Sequence, residues 1–326
     1  MPLKVLTITN MYPEPERPAW GVFIKSQVDS LVAQGIETDV MVIRGYRGRA
    51  EYLCAIPRLW RRLRSGDYDL IHAHYGLSGL VARMQRRLPV VVSYCGNDLY
   101  GHADAAGRQT LQSMPLMWLQ RLLARCVDRA IVKSRASADL IAAAAPVVIP
   151  NGVDMTRFRP LPRDECRATL GLARDATYVL FPYAIDRPRK NHPLFSAALA
   201  QLASRHGINA LPLVVHDVPN ERVPLYLNAA DVVMLTSFWE GSPNVVKEAM
   251  ACNTRVVAVD VGDVRELVGG ETGYAVCGFD AVELADALAT VLATPAKTAM
   301  RARMQALSSA AIAARVIDVY RALARH

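Results

Sequence analysis

The chain has 326 residues, of which 52% are apolar and 21% charged, with a formal net charge of +8. That length suggests about two domains and is ample for large cores. No run reaches the ~18 apolar residues of a membrane span, and Met1-Pro-Leu-Lys-Val-Leu lacks a signal-peptide layout, so a cytoplasmic protein is the expectation.

Six cysteines (54, 95, 126, 166, 252 and 277) are scattered without a C-x-x-C pair or a metal-ligand spacing, which predicts reduced, mostly buried thiols and argues against zinc. The charge is lopsided. Residues 1–160 hold 21 Lys+Arg and 13 Asp+Glu, a difference of +8, whereas residues 161–326 hold 17 of each and balance to zero. Something acidic should therefore meet the first half: an anionic membrane surface, a phosphate-bearing acceptor or, less readily, nucleic acid.

Taken in order, Leu3 to Thr9 reads as a strand, the Pro-rich stretch to Trp20 as a loop, and Gly21 to Val32 as an amphipathic helix with Phe23, Val28 and Leu31 inward. Thr38 to Val42 is a second strand. No G-x-G-x-x-G follows the first strand, which counts against a nicotinamide or flavin dehydrogenase; Gly21 could still let backbone approach a phosphate. Arg44 to Arg64 is basic, interleaved with Tyr46, Leu53, Leu59 and Trp60. It suits an anionic bilayer surface or a solvated helix packed on the sheet.

Asp69 to Gly76 is a strand with its loop. Ligands of parallel sheets bind beyond the carboxyl ends of strands, which places His74 for function and leaves His72 as a core residue. Pro89 to Leu99 repeats the theme, with Cys95-Gly-Asn97-Asp98 at the strand's end, either facing a ligand or serving as a turn and helix cap. Leu111 to Val127 reads as one long helix, Ala130 to Lys133 as a strand, Ser137 to Ala143 as a helix, and Val147 to Asp154 as a strand closing on Asn-Gly. The Pro-rich Phe158 to Pro162 sets a domain boundary near residue 160.

The second half restarts the rhythm. The strand Tyr178 to Pro182 precedes a cationic loop with Arg187, Arg189, Lys190 and His192, a credible anion site. A helix over 193–205, a strand Leu211 to His216, the loop Asp217-Val218-Pro219-Asn220 and a helix Val223 to Ala230 follow. Strand Val232 to Thr236 then leads into Glu240-Gly-Ser-Pro-Asn-Val-Val-Lys-Glu248, a tight turn with Pro243 at the first helical position and a helix from Asn244 to Met250. A helix N-terminus offers free N–H groups to phosphate, and the two carboxylates can accept hydrogen bonds from sugar hydroxyls. Strands over Thr254 to Asp260 and Gly273 to Val276 and Ala-rich helices over 280–292 and 299–326 complete an α/β chain of doubly wound character.

Together these motifs resemble the family 4 retaining glycosyltransferases. The resemblance rests on the E-x7-E stretch from Glu240 to Glu248, on Ile149-Pro-Asn-Gly-Val-Asp154, Ala230 to Ser237, Val256 to Gly262, Tyr94 to Asp98 and Arg187-Pro-Arg-Lys-Asn191. It implies a GT-B architecture: two Rossmann-like parallel-sheet domains facing a central cleft, an acceptor-binding one over 1–160 and a nucleotide-sugar-binding one over 161–326, the last helix crossing back. It implies transfer of a glycosyl group from a nucleotide diphosphate sugar to an acceptor hydroxyl with retention, in polysaccharide or glycolipid assembly.

In that resemblance Glu240 would bind donor-sugar hydroxyls, and the backbone of Gly241, Ser242, Pro243, Asn244 and Val245 would face sugar and phosphate. Glu248 would take the ribose, and Asp217, Val218 and Pro219 would lie near the base. Lys190 with Arg187 would neutralise the diphosphate, so no metal is expected at the donor and no other cofactor. Gly21 would close over the donor. Cys95 stands where the family usually has His, and a thiol is a weak, uncharged donor; His74 could compensate. Alternatives on the same fold are a nucleotide-sugar epimerase or hydrolase, or a non-catalytic partner subunit.

Overall fold

The computed structural model describes residues 2–104, 106–294 and 300–324. The chain divides into two compact units, one made of Met1–His102, Gln109–Gly152 and Ser309–His326, the other of Ala103–Arg108 and Val153–Ser308. The sequence had suggested a boundary near residue 160.

The first unit alternates strands and helices: β1 (Lys4–Thr9), α1 (Val22–Val32), β2 (Glu37–Val42), α2 (Ala50–Ser65), β3 (Leu70–His74), α3 (Gly76–Ala82), β4 (Val90–Ser93), α4 (Asn97–Tyr100), α5 (Met114–Leu123), β5 (Arg129–Val132), α6 (Arg135–Asp139) and β6 (Val147–Val148). All strand pairs are parallel, in the order β2-β1-β3-β4-β5-β6. The order reverses between β1 and β3, so their carboxyl ends flank a topological switch point. One face of this sheet, with Leu6, Ile8, Ile71, Ala73, Val90, Val92, Ala130 and Val132, packs on Ala55, Leu59 and Leu63 of α2 and on Val81, Ala82 and Ala124. The other face differs toward its carboxyl end. Register places Thr7 beside His72, Thr9 beside His74, and His74 beside Ser93, and all five are buried polar side chains.

The second unit comprises α7 (Arg163–Leu170), β7 (Tyr178–Phe181), α8 (His192–His206), β8 (Leu211–Val214), α9 (Val223–Ala229), β9 (Val232–Leu235), α10 (Asn244–Ala251), β10 (Arg255–Val259), α11 (Val264–Val268), β11 (Tyr274–Cys277), α12 (Ala281–Ala293) and α13 (Met300–Arg303). Its parallel order is β11-β10-β9-β7-β8, with the switch between β7 and β9. β9 and β10 are buried throughout, as branched apolar runs in the middle of a parallel sheet should be. Helix α14 (Ser309–Ala324) belongs to the first unit.

Several elements differ from expectation. In α1 the inward residue is Ile24, with Phe23 only half-buried. The long helix expected over 111–127 is a 3-10 turn followed by α5, because Pro115 fits the first turn of a new helix. The strand expected from Val147 pairs over only two residues at the sheet edge. Helices α3 and α7 were not anticipated. The helix expected over 299–326 is broken: α13 gives way to a 3-10 turn, Met304–Leu307, and Ser308 turns extended before α14. Residues 299, 325 and 326 lie outside the described residues. Pro243 is the N-cap of α10, not its first residue. Cys54 and Cys126 are exposed, so the thiols are less buried than expected, and all six are unbridged.

One buried charge network ties the second unit together. Asp231, just before β9, accepts from the Arg167 guanidinium at 2.7 Å and from the Tyr178 N–H at 2.7 Å, while Arg167 also donates to the Ala229 carbonyl. Arg167 is 2% exposed. Removing one member of a buried pair strands the other without compensation. Asp231→Ala should therefore lower unfolding free energy by about 3–5 kcal/mol, measured by urea denaturation of the second unit's transition.

Candidate functional site

In the second unit the chemistry collects at the β7/β9 switch. After β7 the chain makes a 3-10 turn, Pro188–Lys190, and Asn191 adopts a left-handed conformation (φ 53°) before α8. After β9 it makes the 238–243 turn into α10. The two loops are bonded to each other: Phe238 N–H donates to the Arg189 carbonyl, and the Thr236 hydroxyl donates to the Lys190 and Asn191 carbonyls.

At their junction Lys190 Nζ lies 2.5 Å from Glu240 Oε1, and an Arg189 guanidinium nitrogen lies 2.9 Å from Glu240 Oε2 and from the Trp239 carbonyl. Lys190 is 4% exposed and its ammonium sits 3.3 Å over the Tyr183 ring. Burial alone would raise the Glu240 carboxyl pKa, but the two cations hold it well below the usual carboxylate range. Burial pulls the Lys190 ammonium below its ordinary value, against the attraction of Glu240. Two basic side chains face one carboxylate, an arrangement that can receive an anion.

The residue that joins Lys190 at Glu240 is Arg189, while Arg187 is exposed on the same loop and reaches Lys190 only electrostatically. The 3-10 turn points alternate side chains of the loop in different directions, and one-dimensional spacing does not show which Arg turns back.

Below the turn, Lys247 of α10 is fully buried and donates to the Ser242 hydroxyl at 3.0 Å. It also stabilises the charge of Asp263, whose carboxyl burial pushes up. Sequence reasoning missed both residues, although a Lys in the apolar first turns of a buried helix was a usable signal. Gly262 (φ 61°) brings its backbone so close to the turn that a Cβ there would lie 2.3 Å from the Gly241 carbonyl oxygen. Gly241, Ser242, Pro243 and Val245 are buried and Asn244 half-buried. Glu248 is half-buried too, and burial raises its carboxyl to about 7 despite Lys247 and Arg157 nearby. Asp217 (φ 51°) and Pro219 are exposed and Val218 half-buried, in the loop after the edge strand β8.

In the first unit, the loop after β4 is built by Asp98. Its carboxylate accepts the Cys95 N–H at 3.0 Å and the Gly96 N–H at 2.8 Å. Of the two readings of this loop, a ligand contact or a turn and cap, the bonds of Asp98 are those of a turn: it is 3% exposed and its oxygens accept backbone N–H groups; Asn97 is exposed. Burial pushes the Cys95 thiol up to about 12, so it stays protonated. His72 bonds Tyr320 of α14 at 2.6 Å and Ser93 at 2.9 Å, a core role. His74 is 1% exposed and burial drives its pKa well down, so it is neutral near pH 7 and brings no positive charge to compensate for Cys95. Gly21 (φ 72°) is needed because a Cβ would lie 2.5 Å from the Met11 backbone; the close approach is to the chain itself. A recess of about 390 Å³ lined by Arg49, Asn97, His102, Thr110, Gln112 and Gln120 offers polar groups to a hydroxyl-rich molecule.

Comparison with known proteins matches this geometry to a class. Sucrose-phosphate synthase from Thermosynechococcus elongatus aligns over 98% of this chain and 99% of its own, with a TM-score of 0.76 at 22% identity. HepE from Anabaena, solved in complex with UDP, aligns over 98% and 100% at 0.68 and 19%. The fold is the GT-B fold of glycosyltransferases. Residues 4–157 match the model described as Glycosyltransferase Family 4, and residues 186–294 that of Glycosyl transferases group 1. A D-inositol 3-phosphate glycosyltransferase of Catenulispora acidiphila is 31% identical over 73% of this chain and 67% of its own length. One from Nocardia farcinica is 29% identical over 74% and 62%. The chain thus spans about two thirds of the length of these relatives. It belongs to glycosyltransferase family 4.

The raised Glu248 carboxyl has a measurable sign. The folded group keeps its proton up to about pH 7, whereas an unfolded one loses it near 4.5, so between those values the folded state binds more protons and stability falls as pH rises. Glu248→Gln should therefore raise Tm by about 2–4 °C at pH 8 and leave it unchanged at pH 4, read by differential scanning calorimetry.

Proposed function

We propose that the protein is a retaining glycosyltransferase that moves a sugar from a nucleotide diphosphate sugar to an acceptor hydroxyl. The observation that carries this reading is the Arg189–Lys190–Glu240 cluster at the β7/β9 switch. A diphosphate arriving there would draw Lys190 toward its own charge and free Glu240 to accept hydrogen bonds from the sugar hydroxyls. Arg187, exposed on the same loop, adds positive charge at the approach. The Trp239 indole N–H is buried without a hydrogen-bond partner among the described residues, a donor left for a ligand atom. Glu248 takes the ribose hydroxyls, and the loop at Asp217 to Pro219 borders the base. Stabilisation of the leaving diphosphate by side-chain cations and the N-terminus of α10 leaves no requirement for a divalent metal. In a front-face reaction the leaving phosphate itself takes the acceptor proton. The acceptor belongs to polysaccharide or glycolipid assembly in this reading.

A panel of nucleotide sugars read by thermal shift should show one that stabilises the chain, and Glu240→Ala should lower kcat/KM with that donor by about 100-fold or more. Full activity of Glu240→Ala would remove it from the site. Absence of stabilisation by any nucleotide diphosphate would overturn the reading.

In the same reading the first unit meets an anionic bilayer, as the +8 charge of residues 1–160 invites. Helix α2 turns Ala55, Leu59 and Leu63 inward and leaves Arg58, Arg61, Arg62 and Arg64 exposed, with Leu53 the one large apolar side chain of the helix that is exposed. The apolar contact comes from α5, where Trp118, Leu119 and Leu122 are 58%, 46% and 56% exposed and Arg121 stacks on Trp118. Both helices pack on α3. An exposed Trp and two Leu with Arg121 stacked on the Trp suit the headgroup boundary of acidic lipid. Trp118→Asp should cut co-sedimentation with phosphatidylglycerol vesicles several-fold, and phosphatidylcholine vesicles should bind weakly. Equal binding of both variants would exclude α5 as the contact. None of the described helices is long and apolar enough to cross a membrane.

A further inference from the structure

Beneath the Glu240 turn lie a second buried ammonium and carboxylate that the reaction described above does not use: Lys247 of α10 and Asp263 in the loop between β10 and α11. Lys247 is wholly buried and Asp263 is 8% exposed. The Ser242 hydroxyl joins them, accepting from Lys247 Nζ at 3.0 Å and hydrogen-bonding the Asp263 carboxyl. The Lys247 charge opposes the burial that pushes the Asp263 carboxyl up. Backbone presses the same loop against the turn. Gly262 has φ 61°, and a Cβ there would lie 2.3 Å from the Gly241 carbonyl oxygen and 3.0 Å from that of Glu240.

Packing alone does not call for these residues. Lys247 is the fourth residue of α10, where an ammonium stands close to the positive end of the helix dipole. An apolar side chain would fill the same space without taking a charge out of water. Asp263 precedes α11 directly, yet its side chain makes no capping bond there, and its Oδ1 is buried with no partner among the described residues. An unmet buried oxygen is a further cost. No side chain caps the N-terminus of α10 either, so the turn is held from below.

We propose that Lys247 and Asp263 are positioning residues for the donor. Through the Ser242 hydroxyl they fix the 240–245 turn, so that its backbone N–H groups meet the diphosphate and Glu240 meets the sugar. The proposal rests on the transferase reading above. Neither side chain touches the donor; their effect passes through Ser242, next to Gly241 and Glu240 in the chain. A displacement of about 1 Å in groups that grip a charged ligand is enough to weaken it strongly. Lys247 also lowers the Glu248 carboxyl, an influence that Asp263→Asn and Ser242→Ala leave in place.

The test is calorimetric titration of the full chain with UDP and GDP, and with UMP and GMP as controls that lack the second phosphate. The diphosphate that binds the wild-type chain more tightly, with its own monophosphate, is then titrated into the variants. Asp263→Asn and Lys247→Met should each weaken the diphosphate about tenfold and the monophosphate much less. The double variant Lys247→Met/Asp263→Asn strands neither charge, so it should regain most of the Tm lost by the single variants while diphosphate binding stays weak. Should a single variant not fold, the double variant and Ser242→Ala decide, the latter keeping both charges and losing several-fold in diphosphate affinity. A double variant that regains both Tm and wild-type affinity would make the cluster structural and overturn the proposal, as would an equal loss of monophosphate and diphosphate binding. Wild-type binding with unchanged variants would overturn the positioning role alone. A wild-type chain that binds neither diphosphate would overturn the transferase reading with it.

Discussion

The second unit is organised around a carboxylate that burial disfavours and two cations that hold it ionised. Glu240 is 9% exposed, and an isolated carboxylate there would take up a proton. Lys190 and Arg189 keep it charged by arriving from the neighbouring strand's loop. The pair therefore does more than balance charge. It ties the loop after β7 to the loop after β9 across the one place in the sheet where the strand order leaves a crevice. The backbone supports the same junction through Phe238 and Thr236. Such a pair adds little net stability over an apolar substitute, which makes a role toward a ligand the better reason for its presence.

The two units solve the problem of the strand ends differently. The second uses a closed set of ion pairs and a turn so tight that Gly262 must lack a side chain beside Gly241. The first buries a polar stripe on one face of its sheet: Thr7 and Thr9, His72 and His74, Ser93 and, by alternation, Lys133. The opposite face of the same strands is apolar and does the packing. Part of the polar stripe is satisfied internally, by Tyr320 reaching in from α14. At the carboxyl ends Thr9 bonds the Met11 backbone and Ser93 bonds His72, while His74 Nδ1 has no partner among the described residues.

The strand–loop–helix rhythm could be read from the sequence because parallel strands buried on both faces appear as short branched apolar runs, as in Val232 to Leu235 and Val256 to Val259. The position of Glu240 followed from the same logic. Helix α7 was invisible because Arg163–Leu170 carries no apolar stripe; its buried contacts are Cys166 and the Arg167 guanidinium. The choice of Arg189 over Arg187 depends on a 3-10 turn, a three-dimensional detail. Buried lysines 133 and 247 looked like ordinary surface charge, since composition does not distinguish a solvated ammonium from an enclosed one. Asp98 was visible as a residue of the right loop, but its commitment to backbone N–H groups could only be seen once the loop was folded. The break before α14 lay within an Ala-rich stretch that reads as helix at every position.

The central claim is that the Lys190–Glu240 pair opens to receive a nucleotide diphosphate sugar. A crystal structure of the chain with the nucleotide sugar that most stabilises it tests this directly. The account predicts the diphosphate on Lys190 and the cationic 187–190 loop, with the oxygens of Glu240 on sugar hydroxyls. A bound nucleotide sugar elsewhere on the chain, with Lys190 and Glu240 still paired at 2.5 Å, would contradict it.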